Sequence, residues 1–319
     1  MGAQISRLPK SANILETEQK TTATSDTCSI STNESVAKTW NPNSPSLPKQ
    51  DQREYHAVET SSYVLPSDQT EQNRLRFQHI MLLHAFKQSV ICPAAREVLK
   101  ASGSKVLDVG CAQGFWLDDV SNEYPNAEYY GVDIAEDALA IADPKLTLTF
   151  GNVIEGLPYG DNTFDYVHQR LLVFGMPKDK YESSIAELIR VAKHDAWIEL
   201  VEVDAVSYSV GPTNALFDKN FNLAMTQRGL DVYAGTNLIY YVKQVAQKTS
   251  KISHIKREVV SIPMNWGGSL GKAHALDIKA ATLAVEDWLH RVMGVEREEY
   301  RRLLDIATEE TGTYKSFKN

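Results

Sequence analysis

Two carboxylates and a loop of small residues carry the chemistry that this sequence announces first. In Val106-Leu107-Asp108-Val109-Gly110-Cys111-Ala112-Gln113-Gly114-Phe115-Trp116, an apolar strand runs into a tight turn and then a helix. Small residues at 110, 112 and 114 let the backbone approach a ligand closely. Nineteen residues after Gly114, Asp133 ends the strand Tyr130-Gly131-Val132-Asp133, where a carboxylate can accept hydrogen bonds from two ribose hydroxyls. In an open α/β sheet both features fall at the carboxyl ends of strands, where ligands bind. A dinucleotide fingerprint needs glycine at its first, third and sixth positions. Counted from Gly110 these are Gly110, Ala112 and Phe115, and a bulky phenylalanine obstructs both the pyrophosphate and the helix packing. Candidate bases are His168, His194, Glu202 and Asp204. Glu202 leads because it lies near the carboxyl end of a strand, with His168 second.

These residues need a scaffold, and the pattern supplies an α/β one. Strands are expected at Lys105–Val109, Glu128–Ile134, Leu146–Phe150, Phe164–Gln169 and Ala196–Val203, with helical stretches between them, notably Lys178–Lys193. Short apolar strands separated by helices predict a doubly wound, mostly parallel sheet with helices on both faces. Ahead of it, Pro66-Ser67-Asp68-Gln69-Thr70-Glu71 reads as a capped helix start, followed by Leu75, Leu82, Leu83, Phe86 and Val90 and stopped by Pro93. After Asp204 come expected helices at Thr213–Arg228 and Tyr240–Lys248, a strand at Ile255–Ile262 and a helical tail from Lys272. The division is therefore a disordered tail (1–54), a helical cap (55–100) and the main fold (101–319), with substrate-side insertions after 204. The first 50 residues hold 15 Ser or Thr, four Pro and one aromatic, Trp40, too little apolar surface to offset ordering.

Composition narrows the function. A formal net charge of -8 argues against a broad nucleic-acid surface, so a small molecule or a protein is the expected partner. No apolar run is long enough to cross a bilayer, and the N-terminus lacks a secretory signal. Cys28, Cys92 and Cys111 show no metal-ligand spacing and read as reduced thiols, which points to the cytoplasm and is compatible with the nucleus. Met1-Gly2-Ala3-Gln4-Ile5-Ser6 matches the N-myristoylation pattern at Gly2. One such chain gives marginal membrane binding, so a flexible tail would act as a reversible membrane tether. Trp266-Gly267-Gly268 reads as a turn or a pocket wall, and Glu296–Arg302 as a solvated helix face.

Across about residues 60 to 315 the chain resembles the class I S-adenosylmethionine (SAM)-dependent methyltransferases, specifically the fungal LaeA-like, trans-aconitate-methyltransferase-type group. The resemblance rests on Tyr63-Val64-Leu65-Pro66-Ser67-Asp68 with Glu71, Arg74, Gln78 and His79, and on Val106 to Gly110. It continues through Asn122-Glu123-Tyr124-Pro125, Gly131-Val132-Asp133, Leu157-Pro158-Tyr159, Phe164 to Arg170 and Trp197 to Glu202. It implies a seven-stranded Rossmann-like sheet with SAM as cofactor. Asp108, Gly110, Ala112 and Gly114 would surround the methionine moiety, Asp133 the ribose, and Asn152 with Val153 the adenine. Gln169 and Arg170 would lie near the methyl group, and Tyr63 would close over the cofactor. It implies methyl transfer to a small organic acceptor at a hydroxyl or carboxyl, or alternatively a SAM-binding regulatory protein that works through a protein partner. Three positions depart from the group: Ala112 for the middle glycine, which asks for a negative φ there, Asn152 for Asp, and Lys193-His194-Asp195-Ala196 for a Pro-Gly-Gly-like turn.

Overall fold

A computed structural model describes residues 2–6 through their backbone, together with 53–55, 63–136 and 145–319. The chain begins with β1 (Gly2–Ser6), α1 (Gln69–Phe86), α2 (Pro93–Leu99), β2 (Lys105–Val109) and α3 (Phe115–Glu123). Then follow β3 (Glu128–Asp133), β4 (Leu146–Phe150), β5 (Phe164–Arg170), α4 (Tyr181–Val191) and β6 (Ala192–Val201). The remaining elements are α5 (Pro212–Gln227), α6 (Ala234–Thr249), β7 (His254–Glu258), β8 (Ile262–Pro263), α7 (Ser269–Ala284), α8 (Glu286–Met293), α9 (Arg297–Thr313) and β9 (Phe317–Lys318).

The seven-stranded sheet runs β4-β3-β2-β5-β6-β1-β7, and its first five strands are parallel. The chain winds from β2 outward to β4 and then returns to lay β5 on the other side of β2. That reversal opens a crevice at the carboxyl ends of β2 and β5. Covering both faces explains why Val106, Leu107 and Val109 of β2 are all apolar and buried. On one face α4 presents Ile185, Leu188 and Ile189 to a core shared with Val167, Ile198 and residues of α6. On the other, Leu99, Leu117, Val120 and Tyr166 pack under α2 and α3. A third cluster (Phe217, Met225, Trp288, Leu289 and Tyr300) belongs to the helices that follow β6.

Three expectations change. The N-terminal tail is not uniformly without structure, because Gly2–Ser6 forms β1, antiparallel to both β6 and β7. Composition averaged over 50 residues hides a five-residue strand that fills a gap between two others. Residues 7–52 lie outside the described region. Gly2, expected at the tip of a flexible tether, instead pairs with Val201 and Glu258, so a tether would require β1 to leave the sheet. Finally, β6 starts at Ala192 rather than Ala196: the departing tetrapeptide is absorbed by a register shift between Phe164 and Tyr166, with Asp195 at φ 64.

Candidate active site

The crevice opens into a cavity of about 360 Å³. The lower end of the range for small-molecule sites is near this size. Its floor is the β2 loop. Gly110 sits at φ +75, and a Cβ there would come within 2.4 Å of Leu172 Cδ2 in the loop after β5. Any side chain would displace the Leu172 side chain and, at this φ, would strain the backbone. Ala112 adopts φ 47, against the expected negative value, because its N–H must turn to donate to Asp133 Oδ2 at 2.8 Å. The other oxygen of Asp133 accepts from Ala135 N, also at 2.8 Å. Burial pushes the Asp133 carboxyl upward, opposed by these backbone donors. A carboxylate has about four acceptor positions, so this one retains capacity for ribose hydroxyls. Gly114, at φ 78, does not line the cavity; it caps α3 and closes the turn by donating to Cys111 O.

Asp108 lies at the centre of the floor, 4% exposed, with Oδ1 2.7 Å from His168 Nδ1. The His168 ring lies flat on Trp116, centroids 3.9 Å apart. Side-chain alternation along β5 puts His168 and Arg170 at the cavity and turns Gln169 away from it, so Gln169 is not near the reacting groups as expected. Arg170 Nη2 donates to His79 Nδ1 at 3.0 Å, which makes Nε2 the protonated nitrogen of that ring and the donor to Asp119 at 2.9 Å. Burial and then Arg170 push the His79 pKa down, in agreement with a neutral ring. Asn152 and Val153 also line the cavity, with Asn152 Oδ1 accepting from Ile154 N at 3.1 Å. Tyr63 closes the same side against Gly175, and burial pushes its hydroxyl pKa up.

The expected bases separate. His194 is exposed at the start of β6 and is outside the cavity. Asp204 lines the cavity, yet both its oxygens are held by Thr236 and one also by Tyr208. Glu202 faces the cavity, fully buried, with one oxygen 3.0 Å from Leu172 N and the other 3.2 Å from Val173 N. Burial pushes its carboxyl up to about 8, and with both oxygens engaged by the loop its evident role is to hold that loop. Trp266-Gly267-Gly268 proves to be a turn, with Trp266 Nε1 donating to Ser316 O at 2.6 Å.

Over this floor sits a lid made by α1 and the segments after Asp204. Arg74 joins them: it donates to both oxygens of Glu71 and, at 2.8 Å, to Asp277 of α7. Gln78 takes the second oxygen of Asp277 at 2.9 Å. Glu71, Arg74 and Asp277 are 1%, 8% and 1% exposed, so the network is buried as well as satisfied. The sequence reading assigned no role to Asp277, His274 or Lys318, all of which line the cavity. No local motif surrounds them.

A methyltransferase-domain family matches residues 106–195, from β2 into β6. The chain is 29% identical over 202 residues to the secondary metabolism regulator laeA of Coprinopsis cinerea, covering 57% of this chain and 48% of that protein. It is 25% identical over 248 residues to the N-methyltransferase sirN of Leptosphaeria maculans, covering 76% and 82%. It is 27% identical over 214 residues to the protein-methionine methyltransferase laeA of Emericella nidulans, covering 65% and 50%. The chain thus spans about half the length of the laeA proteins it matches.

Proposed function

We propose that this chain, which carries a class I methyltransferase domain of the LaeA-like group with SAM as its cofactor, methylates an oxygen of a small organic acceptor. The observation that carries this reading is the continuity of the cavity. One space runs from Asp108 and Asp133 at the strand ends to Phe174, Phe217 and Phe221 beneath the lid. SAM supplies an activated methyl on a sulfonium, so the protein's work is to hold the acceptor close and aligned. Asp133 would hold the ribose, and Asp108 and the Gly110 turn the methionine end. Glu202 positions the loop from Leu172 to Val173, and the lid excludes water. Calorimetric titration of SAM and S-adenosylhomocysteine (SAH), with Asp133→Ala as control, tests the cofactor site. A screen of small acceptors with labelled SAM then tests transfer. Binding without transfer to any acceptor would sink the catalytic reading.

A second reading is supported by the regulator names of the laeA relatives: a SAM-binding protein that acts through a protein partner. Its signature would be partner binding that depends on SAM, with no turnover of small molecules. Acylation of Gly2 and reversible membrane contact in the cytoplasm are supported by the Met1 to Ser6 pattern alone. Comparing the intact mass of eukaryote-expressed protein with that of Gly2→Ala tests them, and equal, unmodified N-termini would end the idea.

A further inference from the structure

Most buried charge in the lid is already committed. Glu71 and Asp277 are held by Arg74 and Gln78. Asp204 is held by Thr236 and Tyr208, and Asp218 by Ser207 N and Oγ. Two cavity-lining side chains differ. Lys318, 8% exposed on β9, makes one hydrogen bond, from Nζ to Ala205 O at 2.7 Å, and no carboxylate lies within 4 Å of it among the described residues. An ammonium held this way is costly unless an anion meets it. His274, 5% exposed on α7, has Nδ1 at 3.2 Å from Ile262 O and 3.1 Å from Pro263 O. Two carbonyls can only accept, so Nδ1 carries the proton and Nε2 carries a lone pair. That nitrogen has no hydrogen-bond partner among the described residues, and the ring lines the cavity. The β8–β9 pairing links the two groups: His274 of α7 is anchored on the carbonyl of Ile262, and Ile262 pairs with Lys318.

We infer that His274 and Lys318 form the acceptor-activating site, and that the acceptor presents a weakly acidic hydroxyl of the phenol or enol class. This rests on the oxygen-methylation reading above. The hydroxyl proton passes to His274 Nε2, and the oxygen, held as an oxyanion by Lys318, forms its bond to the methyl carbon. The electron pair of the breaking sulfur–methyl bond stays on sulfur, giving SAH and a methyl ether, and His274 returns its proton to water. Burial, with the Lys318 charge, holds the His274 pKa below its usual value, while Asp277 opposes them; Arg74 and Gln78 of α1 already engage that carboxylate. The ring is therefore neutral and able to accept a proton at pH 7. Burial likewise pulls the Lys318 pKa down, opposed by the more distant Asp218 and Asp204. An amine acceptor would meet a cation where it needs an anion.

The test uses para-nitrophenol as probe and benzylamine as its counterpart, both titrated into the SAH complex. Para-nitrophenol should bind as the phenolate, ionised below its solution pKa, and benzylamine should not compete. Lys318→Met should weaken that binding about 10- to 100-fold and remove the ionisation shift. His274→Asn keeps an N–H for the two carbonyls but has no basic nitrogen. It should lower methylation of phenols by about 10²- to 10⁴-fold and erase the acid limb of the pH profile. SAH affinity should be unchanged in both variants, which shows that they fold. Failure of para-nitrophenol to bind overturns the assignment. So does equal binding of benzylamine, or unaltered binding and pH profile in both variants. Wild-type protein that does not bind SAH overturns the methyltransferase reading and this assignment with it.

Discussion

At the strand ends the chain meets its ligand with backbone and a few carboxylates within one stretch of sequence, whereas the lid is assembled from side chains far apart. Asp133 is tied to Ala112 across 21 residues; Arg74 is tied to Asp277 across 203. The first arrangement is fixed by the sheet itself, since a strand end and the turn beyond it cannot move independently. The second depends on buried charge that has no value unless every partner is present. A floor of this kind can be read locally, and a lid of this kind cannot.

The largest expected effect comes from breaking the lid. Arg74→Met leaves Glu71 and Asp277 buried without their cation, which should cost about 3–5 kcal/mol. The melting temperature should fall by roughly 6 °C or more. Removing all three charges together should restore much of the loss, and a triple variant no more stable than Arg74→Met would show that the network is not what joins α1 to α7. On the floor, Asp133→Ala should weaken SAH binding by about 100-fold through the lost carboxylate contacts. Calorimetry giving wild-type affinity would remove Asp133 from the site.

Glu202 ties the end of β6 to the loop after β5, and its pH dependence follows from its burial. Its folded pKa of about 8 lies above the ordinary 4.5, so the folded state keeps a proton that the unfolded chain has lost. The stability it contributes is present below about 4.5 and is lost as pH rises through about 8. Thermal melts across this window should show that fall, and Glu202→Gln should flatten it; parallel curves for the two proteins would assign the dependence elsewhere. The smallest effect is on the floor. Ala112 in the left-handed region costs about 1 kcal/mol, and glycine gives back part of that in unfolded-state entropy. Ala112→Gly should therefore stabilise by about 0.5 kcal/mol and raise the melting temperature by roughly 1–2 °C. A lower melting temperature would mean that the alanine methyl packs usefully.

The same contrast explains what the sequence reveals. Asp108, Gly110 and Asp133 are legible because a strand, a turn and a second strand are encoded within 26 consecutive residues. Asn152 and Arg170 are legible through the family resemblance, which places them beyond the third and fourth expected strands. Gln169 misleads because a one-residue step along β5 reverses the face. Ala112 misleads because a hydrogen bond to a carboxylate outweighs its backbone preference. His274 and Lys318 stay silent because their meeting depends on the β8–β9 pairing, and neither a helical histidine nor a lysine has a local signature. Glu202 is legible as a strand-end acid, but its hydrogen bonds to the loop after β5 are not.

Strand β1 has a further consequence, for the order in which the molecule can be made. Gly2–Ser6 is synthesised before both of its partners, 197–201 and 254–258. At about 5–20 residues per second, roughly 10–50 s of synthesis separate the strand from its second neighbour. During that time β1 must wait for strands that have not yet been made. Such long-range closure is the slow kind. It also leaves the nascent protein with an unpaired strand that another extended segment of the right alternation could capture.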